Sequence, residues 1–253
     1  MLQIHQFPCL NDNYGFLVHD PATGDTAAID TPDADKYLAE AEAQGWTITQ
    51  IWNTHWHPDH AGGNEKIKSV TGCKIAGPAG EASKIPALDH AVGTGDAITL
   101  GKREVTVMDV PGHTLGHIAY FMSEEKVAFV GDALFALGCG RVFEGTPEMM
   151  WGSLKSLKSL PTDTIIYCAH EYTAANAAFA ITVEPDNSAL QAYVDEINEK
   201  RARGEWTVPT LLSRELETNP FLRADHPPLQ AAMGCPGDAV ATFAEIRGRK
   251  DNF

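Results

Sequence analysis

No run of this chain is long and apolar enough to be read as a transmembrane helix. The longest stretch without Asp, Glu, Lys or Arg covers 16 residues, from Ala43 to Pro58, and contains two histidines, whereas a span needs about 20 apolar residues. Basic charge is scarce too: 19 Lys and Arg face 34 Asp and Glu, a net charge of -15. That excess repels phosphate backbones and anionic lipid surfaces over a Debye length, which disfavours nucleic acid or a membrane as partner. Cysteine is sparse and odd in number, at Cys9, Cys73, Cys139, Cys168 and Cys235, with no CxxC. Neither a disulfide framework nor a thiolate zinc cluster is expected, and the set reads as reduced and cytoplasmic. The opening MLQIHQFPCL has no basic n-region and no long apolar core, so no signal peptide is expected. There is no internal repeat and no GxSxG, so nucleophilic serine chemistry lacks support.

What is present is the composition of a globular protein, 43% apolar and 21% charged, with 22 Gly and 15 Pro scattered along 253 residues. The length predicts a main domain with an appendage. Apolar runs read as strands at Tyr14 to His19, Thr26 to Ile29, Ile48 to Trp52, Lys74 to Ala76, Glu104 to Val110, Ile118 to Met122, Lys126 to Val130 and Thr164 to Cys168, with a helix at Ala34 to Gln44. From about Tyr172 the texture is helical. Asn187 or Ser188 can cap a helix that stops at Gly204, another follows Pro236, and Pro209, Pro220, Pro227 and Pro228 mark an irregular connector between them. The predicted division is an α/β part over 1–172 and a mostly helical part over 173–253.

Four strands run into a polar residue: His55, His113, Asp132 and His170. Residues 54 to 60 read THWHPDH, with His55, His57, Asp59 and His60 inside six positions. Imidazole and carboxylate suit zinc, and they admit iron or manganese. In an extended stretch side chains alternate, so His55, His57 and Asp59 would share a direction and His60 would point elsewhere; Pro58 and the Ala-Gly-Gly that follows suggest a turn. That geometry favours two adjacent ions over one. Seven ligands divide as His55, His57 and His113 for one ion, Asp59, His60 and His170 for the other, and Asp132 between them. An open position at each ion would make the site catalytic, since structural sites are closed.

The THWHPDH string with the later PGHT, GD and AHEYT segments resembles the metallo-β-lactamase fold superfamily. NDNY at 11–14, CGRVFEGT at 139–146, AHEYT at 169–173, EPDN at 184–187, NPFLR at 219–223 and RGRKDNF at the end resemble glyoxalase II, the hydroxyacylglutathione hydrolase family. The resemblance implies a four-layered αββα sandwich followed by a smaller helical, substrate-binding domain. It implies a binuclear thioesterase that hydrolyses S-D-lactoylglutathione to glutathione and D-lactate, the second step of methylglyoxal detoxification, by attack of a metal-bridging hydroxide on the thioester carbonyl. Asp59 and Asp132 would be catalytic as ligands, Asp59 also as a proton acceptor. Arg141, Tyr172, Arg247 and Lys250 match the family's glutathione contacts. Phe143 stands where some relatives carry Tyr, which removes one hydroxyl from that surface. No obligate protein partner is implied.

Other readings separate on stated grounds. A lactonase, β-lactamase or persulfide dioxygenase of the same superfamily would share the metal loop without needing the CGR, AHEYT and terminal basic segments together. A metal-dependent binding or structural protein would show no hydrolysis at any metal loading. GDAITLGKR at 95–103 is not a phosphate loop, because Arg103 replaces the magnesium-binding Ser or Thr. His117, four residues after His113, reads as support for a ligand or as structural. Changing Asp132→Ala is expected to remove the bridging ligand and most of the activity, measured as loss of thioester absorbance. Retained turnover would exclude Asp132 from the centre.

Overall fold

The computed structural model describes residues 1–253. Contacts divide the chain into two compact units, one of Met1–Asp109 with Leu115–Gly131 and one of Val110–Thr114 with Asp132–Phe253. The first holds strands β1 (Gln3–Cys9), β2 (Asn13–Asp20) and β3 (Asp25–Ile29), helix α1 (Ala34–Gln44), β4 (Gln50–Trp52), helices α2 (Pro58–Ala61) and α3 (Asn64–Thr71), and strands β5 (Lys74–Pro78), β6 (His90–Val92), β7 (Ala97–Leu100), β8 (Arg103–Asp109), β9 (Ile118–Met122) and β10 (Val127–Gly131). Strands β1 to β6 form one mixed sheet in sequence order. It is antiparallel from β1 to β3 and parallel from β3 to β6, with Ala28 opposite Ile51 and Ile51 opposite Ile75. Strands β7 to β10 pair antiparallel in a second sheet.

Both faces of the first sheet are covered, which explains why its parallel strands read as short apolar runs rather than alternating ones. On one face Leu17, Ala28, Ile51 and Ile75 pack with Tyr37 and Ala41 of α1 and Ile67 of α3. On the other, Phe16 meets Phe129 at 5.7 Å and Trp52 meets Tyr120 at 5.5 Å between ring centroids, joining the two sheets. Helix α1 has the bounds read from the sequence, and the structure shows both caps: Asp33 accepts from the amides of Asp35 and Lys36, and Gly45 closes the helix at φ 71. Tyr37 is fully buried, donates to Ile29 O at 2.8 Å and accepts from Phe16 N at 3.1 Å.

The second unit holds β11 (Leu134–Phe135) and β12 (Gly138–Cys139), helix α4 (Pro147–Lys158), β13 (Ile165–Cys168), helices α5 (Thr173–Val183) and α6 (Ser188–Ala202), β14 (Thr210–Leu211), and helices α7 (Leu212–Thr218), α8 (Pro227–Ala232) and α9 (Ala239–Asp251). Its β11–β12 hairpin is held from below by Glu215 and Asn219. Asn219 Nδ2 donates to Phe135 O and Gly138 O, while Glu215 accepts from Leu137 N, Thr210 Oγ1 and Asn219. Burial pushes the Glu215 carboxyl above its usual range.

The expected α/β class with a helical C-terminal region is what the structure shows. Two local expectations change. The stretch after His57 is not extended: Pro58 opens the single turn of α2, so the orientations of Asp59 and His60 follow helical rather than strand geometry. The proline connector is not irregular throughout, because Pro227 and Pro228 start α8 and α7 lies before it. Helix α4 escaped the sequence reading although its signals are ordinary: Thr146 accepts from Met149 N and Pro147 begins the first turn. Tyr37→Phe keeps the ring and leaves a buried donor and acceptor without their partner. It is expected to cost about 1–3 kcal/mol, measured as a shift of the denaturation midpoint at unchanged slope.

Candidate metal centre

In the first unit the loop after β4 and the end of β3 meet around Asp30. The chain leaves β3 with Asp30 at φ 49, a left-handed turn that Asp tolerates better than most residues. Its buried carboxylate accepts from Thr54 N at 2.8 Å, Thr54 Oγ1 at 2.9 Å and His60 Nδ1 at 2.9 Å. Because Thr54 spends its proton on Asp30, its oxygen accepts from His55 Nδ1, 3.0 Å away. Both imidazoles therefore carry hydrogen on Nδ1 and a lone pair on Nε2, the tautomer suited to a metal ligand. His55 Nε2 faces His57 Nδ1 at 3.0 Å, and His60 Nε2 faces Asp59 Oδ2 at 3.4 Å. Asn13 Nδ2 reaches the carbonyl and carboxylate of Asp59 at 3.2 and 3.3 Å. His117 is fully buried and stacks on His55 at 4.6 Å. Glu81 closes the loop from beneath, accepting from Trp56 N and Gly116 N.

The second unit brings His113, Asp132 and His170 together. His113 Nε2 lies 3.4 Å from Asp132 Oδ2 and His170 Nε2 lies 3.4 Å from Asp132 Oδ1. His113 Nδ1 donates to Arg141 O at 2.9 Å, which again leaves the lone pair on Nε2. A lone pair facing a carboxylate oxygen is repulsive unless a proton or a cation lies between them. That arrangement, repeated at His60–Asp59 and His113–Asp132, fits a divalent ion, and the seven residues are the His and Asp groups able to bind metal ions.

A cavity of about 570 Å³ in the second unit is lined by both His113 and Asp132 and by Arg141, Phe143, Tyr172, Arg247 and Lys250, the five residues that the resemblance implies for substrate. Tyr172 stacks flat on His170 at 4.8 Å, and Phe143 leans on His113 at 5.2 Å. Arg141 projects into solvent, 64% exposed, whereas Lys250 is half-covered, donates to Ala175 O and lies 5.3 Å from the rings of Phe179 and Phe253. Burial, with Arg247 and Arg141 nearby, lowers the Lys250 ammonium from its usual value. All five cysteines are free; burial pushes Cys9 and Cys139 up to about 11 and Cys168 to about 12, so these thiols stay protonated and are not nucleophiles.

Residues 15–170 match the family model of the metallo-beta-lactamase superfamily, and residues 171–253 match that of the hydroxyacylglutathione hydrolase C-terminus. The chain belongs to the hydroxyacylglutathione hydrolase family. A hydroxyacylglutathione hydrolase of Hyphomonas neptunium is 68% identical over all of this chain and 99% of its own length, and one of Erythrobacter litoralis is 61% identical over the full length of both. Among solved structures, ETHE1 from Myxococcus xanthus superposes with a TM-score of 0.71 at 23% identity, covering 97% of this chain and 90% of its own. The BLEG-1 B3 metallo-beta-lactamase gives 0.68 at 19%, covering 87% and 99%. At such identities these two show the shared fold. No helix is long and apolar enough to cross a membrane.

Sequence reasoning missed Asp30, Asn13 and Glu81 as parts of this hydrolase's centre. A signal existed for Asp30, which ends an apolar strand just as His55 and Asp132 do, and for Asn13, which lies in the NDNY segment. Glu81 had none, because its role depends on two amides brought to it from elsewhere in the chain. Asp30→Asn preserves volume but sets an amide against three donors. It is expected to weaken metal retention about 10- to 100-fold, measured as metal per chain after dialysis against a chelator, and an unchanged content would separate Asp30 from the centre.

Proposed function

We propose that this hydroxyacylglutathione hydrolase cleaves the thioester of S-D-lactoylglutathione, giving glutathione and D-lactate, at a centre of two divalent ions, most simply zinc. His55, His57 and His113 would hold one ion, Asp59, His60 and His170 the other, and Asp132 both. The observation that carries the reading is the single cavity in which metal donors His113 and Asp132 share walls with the cations Arg141 and Lys250. Bound there, divalent ions supply a polarised carbonyl and a water whose pKa falls from 15.7 toward about 7.

The chain's own residues do the rest. Asp30 and the Arg141 carbonyl hold the Nδ1 hydrogens of His60 and His113 and so aim their Nε2 lone pairs before the reaction begins. Asp59, whose side chain is 41% exposed, keeps the solvent access that a proton acceptor needs. Glutathione carries two carboxylates against one ammonium, and Arg141 and Lys250 offer the matching charge. Burial lowers the Lys250 ammonium from its usual value, and a bound carboxylate would favour its charged form. Phe143 and Tyr172 give the acyl and thioester part an apolar wall beside the ligands they touch. The division that fits this reading gives residues 1–172 the metal donors together with Arg141, Phe143 and Tyr172 of the substrate wall, and residues 173–253 the remaining substrate cation, Lys250. Five free thiols, four of them buried, suit a reducing cytoplasm.

The test is turnover of S-D-lactoylglutathione by the purified chain with bound metal quantified on the same sample. Turnover with about two metals per chain supports the reading; none at full loading would discard the substrate and point to lactones or persulfides. Lys250→Ala is expected to raise KM about 10-fold with kcat nearly kept, since its contact with the carboxylate is the same in ground and transition states. An unchanged KM would remove Lys250 from the substrate surface.

A further inference from the structure

The cation Arg247 differs from the other two in the cavity. It is only 7% exposed, and all three of its nitrogens are engaged within the protein. Nη1 donates to Cys139 O at 3.0 Å, Nε and Nη2 hold Asp251 Oδ1 at 3.1 and 2.9 Å, and the guanidinium lies 5.1 Å over the Phe221 ring. Two residues on from Cys139, the Arg141 carbonyl accepts from His113 Nδ1 at 2.9 Å. Between them, Gly140 passes so close to the ligands that an added Cβ would collide with the Asp132 carbonyl oxygen and stand 3.0 Å from His113 Nδ1. The backbone 139–141 is thus clamped at one end by Arg247 and clamps His113 at the other.

We propose that Arg247 is a positioning residue for the metal ligand His113. By holding Cys139 O it sets the path of residues 139–141, and that path places the carbonyl that fixes the tautomer and heading of His113. Asp251 orients the guanidinium for this task. The inference rests on the reading of His113 as a metal ligand. It gives the Cys-Gly-Arg segment a second purpose beside presenting the Arg141 side chain: its backbone couples α9 to the centre, so that a substrate anion drawn to the cations of this helix would bear on the same segment that steadies His113.

The experiment measures transfer of zinc from the zinc-loaded chain to a competing chelator, a readout independent of substrate. Arg247→Ala is expected to weaken retention of one of the two zincs about 10- to 100-fold, the range found when support of a ligand is removed, and to lower kcat as well as raise KM. Asp251→Asn should lie between this variant and the unaltered chain, and Arg247→Lys, which can still reach one carbonyl, should recover part of the loss. Lys250→Ala, on the same helix and in the same cavity, should hold both zincs normally. Should Arg247→Ala fail to fold, Arg247→Lys and Asp251→Asn carry the comparison. Normal zinc retention in the folded variants, with only KM raised, would overturn the proposal and leave Arg247 as a substrate cation. Failure of the unaltered chain to retain zinc would overturn both this inference and the metal reading, whereas zinc retention without thioester turnover would overturn the substrate reading alone.

Discussion

The buried carboxylate of Asp30 is the interaction on which the chemistry of the first unit depends. An imidazole binds a metal through a lone pair, and which nitrogen carries it is decided by what the other nitrogen touches. Asp30 decides this for His60 directly and for His55 through the Thr54 hydroxyl. A carboxylate so placed is costly to bury unless its lone pairs are filled, and here the donors that fill them are the groups that need orienting. The fold supplies the position: β3 and β4 run parallel with Ile29 beside Trp52, so the residues leaving their ends come together.

The second unit reaches the same end by different means. Here a backbone carbonyl, that of Arg141, takes the place of the carboxylate beneath His113, and a glycine lets it come close enough. A carbonyl cannot be protonated, so this support does not change with pH, but it is only as well placed as the segment that carries it. Glu215 and Asn219 below the β11–β12 hairpin, and Arg247 at its edge, are the means by which that segment is kept in place. The proposed substrate wall and the proposed ligand His113 consequently share a backbone.

Much of this was legible in the chain. Three histidines and an aspartate within THWHPDH announce a metal site because imidazole and carboxylate are donor types that suit zinc and similar ions, crowded here into six positions. The downstream His113, Asp132 and His170 were findable because each ends an apolar run. The bounds of helix α1 were legible because its pattern is local, and the caps at Asp33 and Gly45 that the structure shows end it at the same residues. Helix α2 was misjudged because four residues are too few for periodicity to register, and α8 because prolines that break a helix interior also begin one.

By itself the sequence determined which donor types are available, where the regular elements with local caps begin and end, and that the surface is acidic. Through its resemblance it also pointed to the family, because long stretches of residue identity carry that information without a fold. Only the tertiary structure decided which acceptor stands behind each imidazole, that Glu81 binds two amides, and that Arg247 is spent on a carbonyl 108 residues away. Hydrogen bonds act over about 3 Å in space, and nothing in the spacing of residues along a chain encodes a distance that short between partners so far apart.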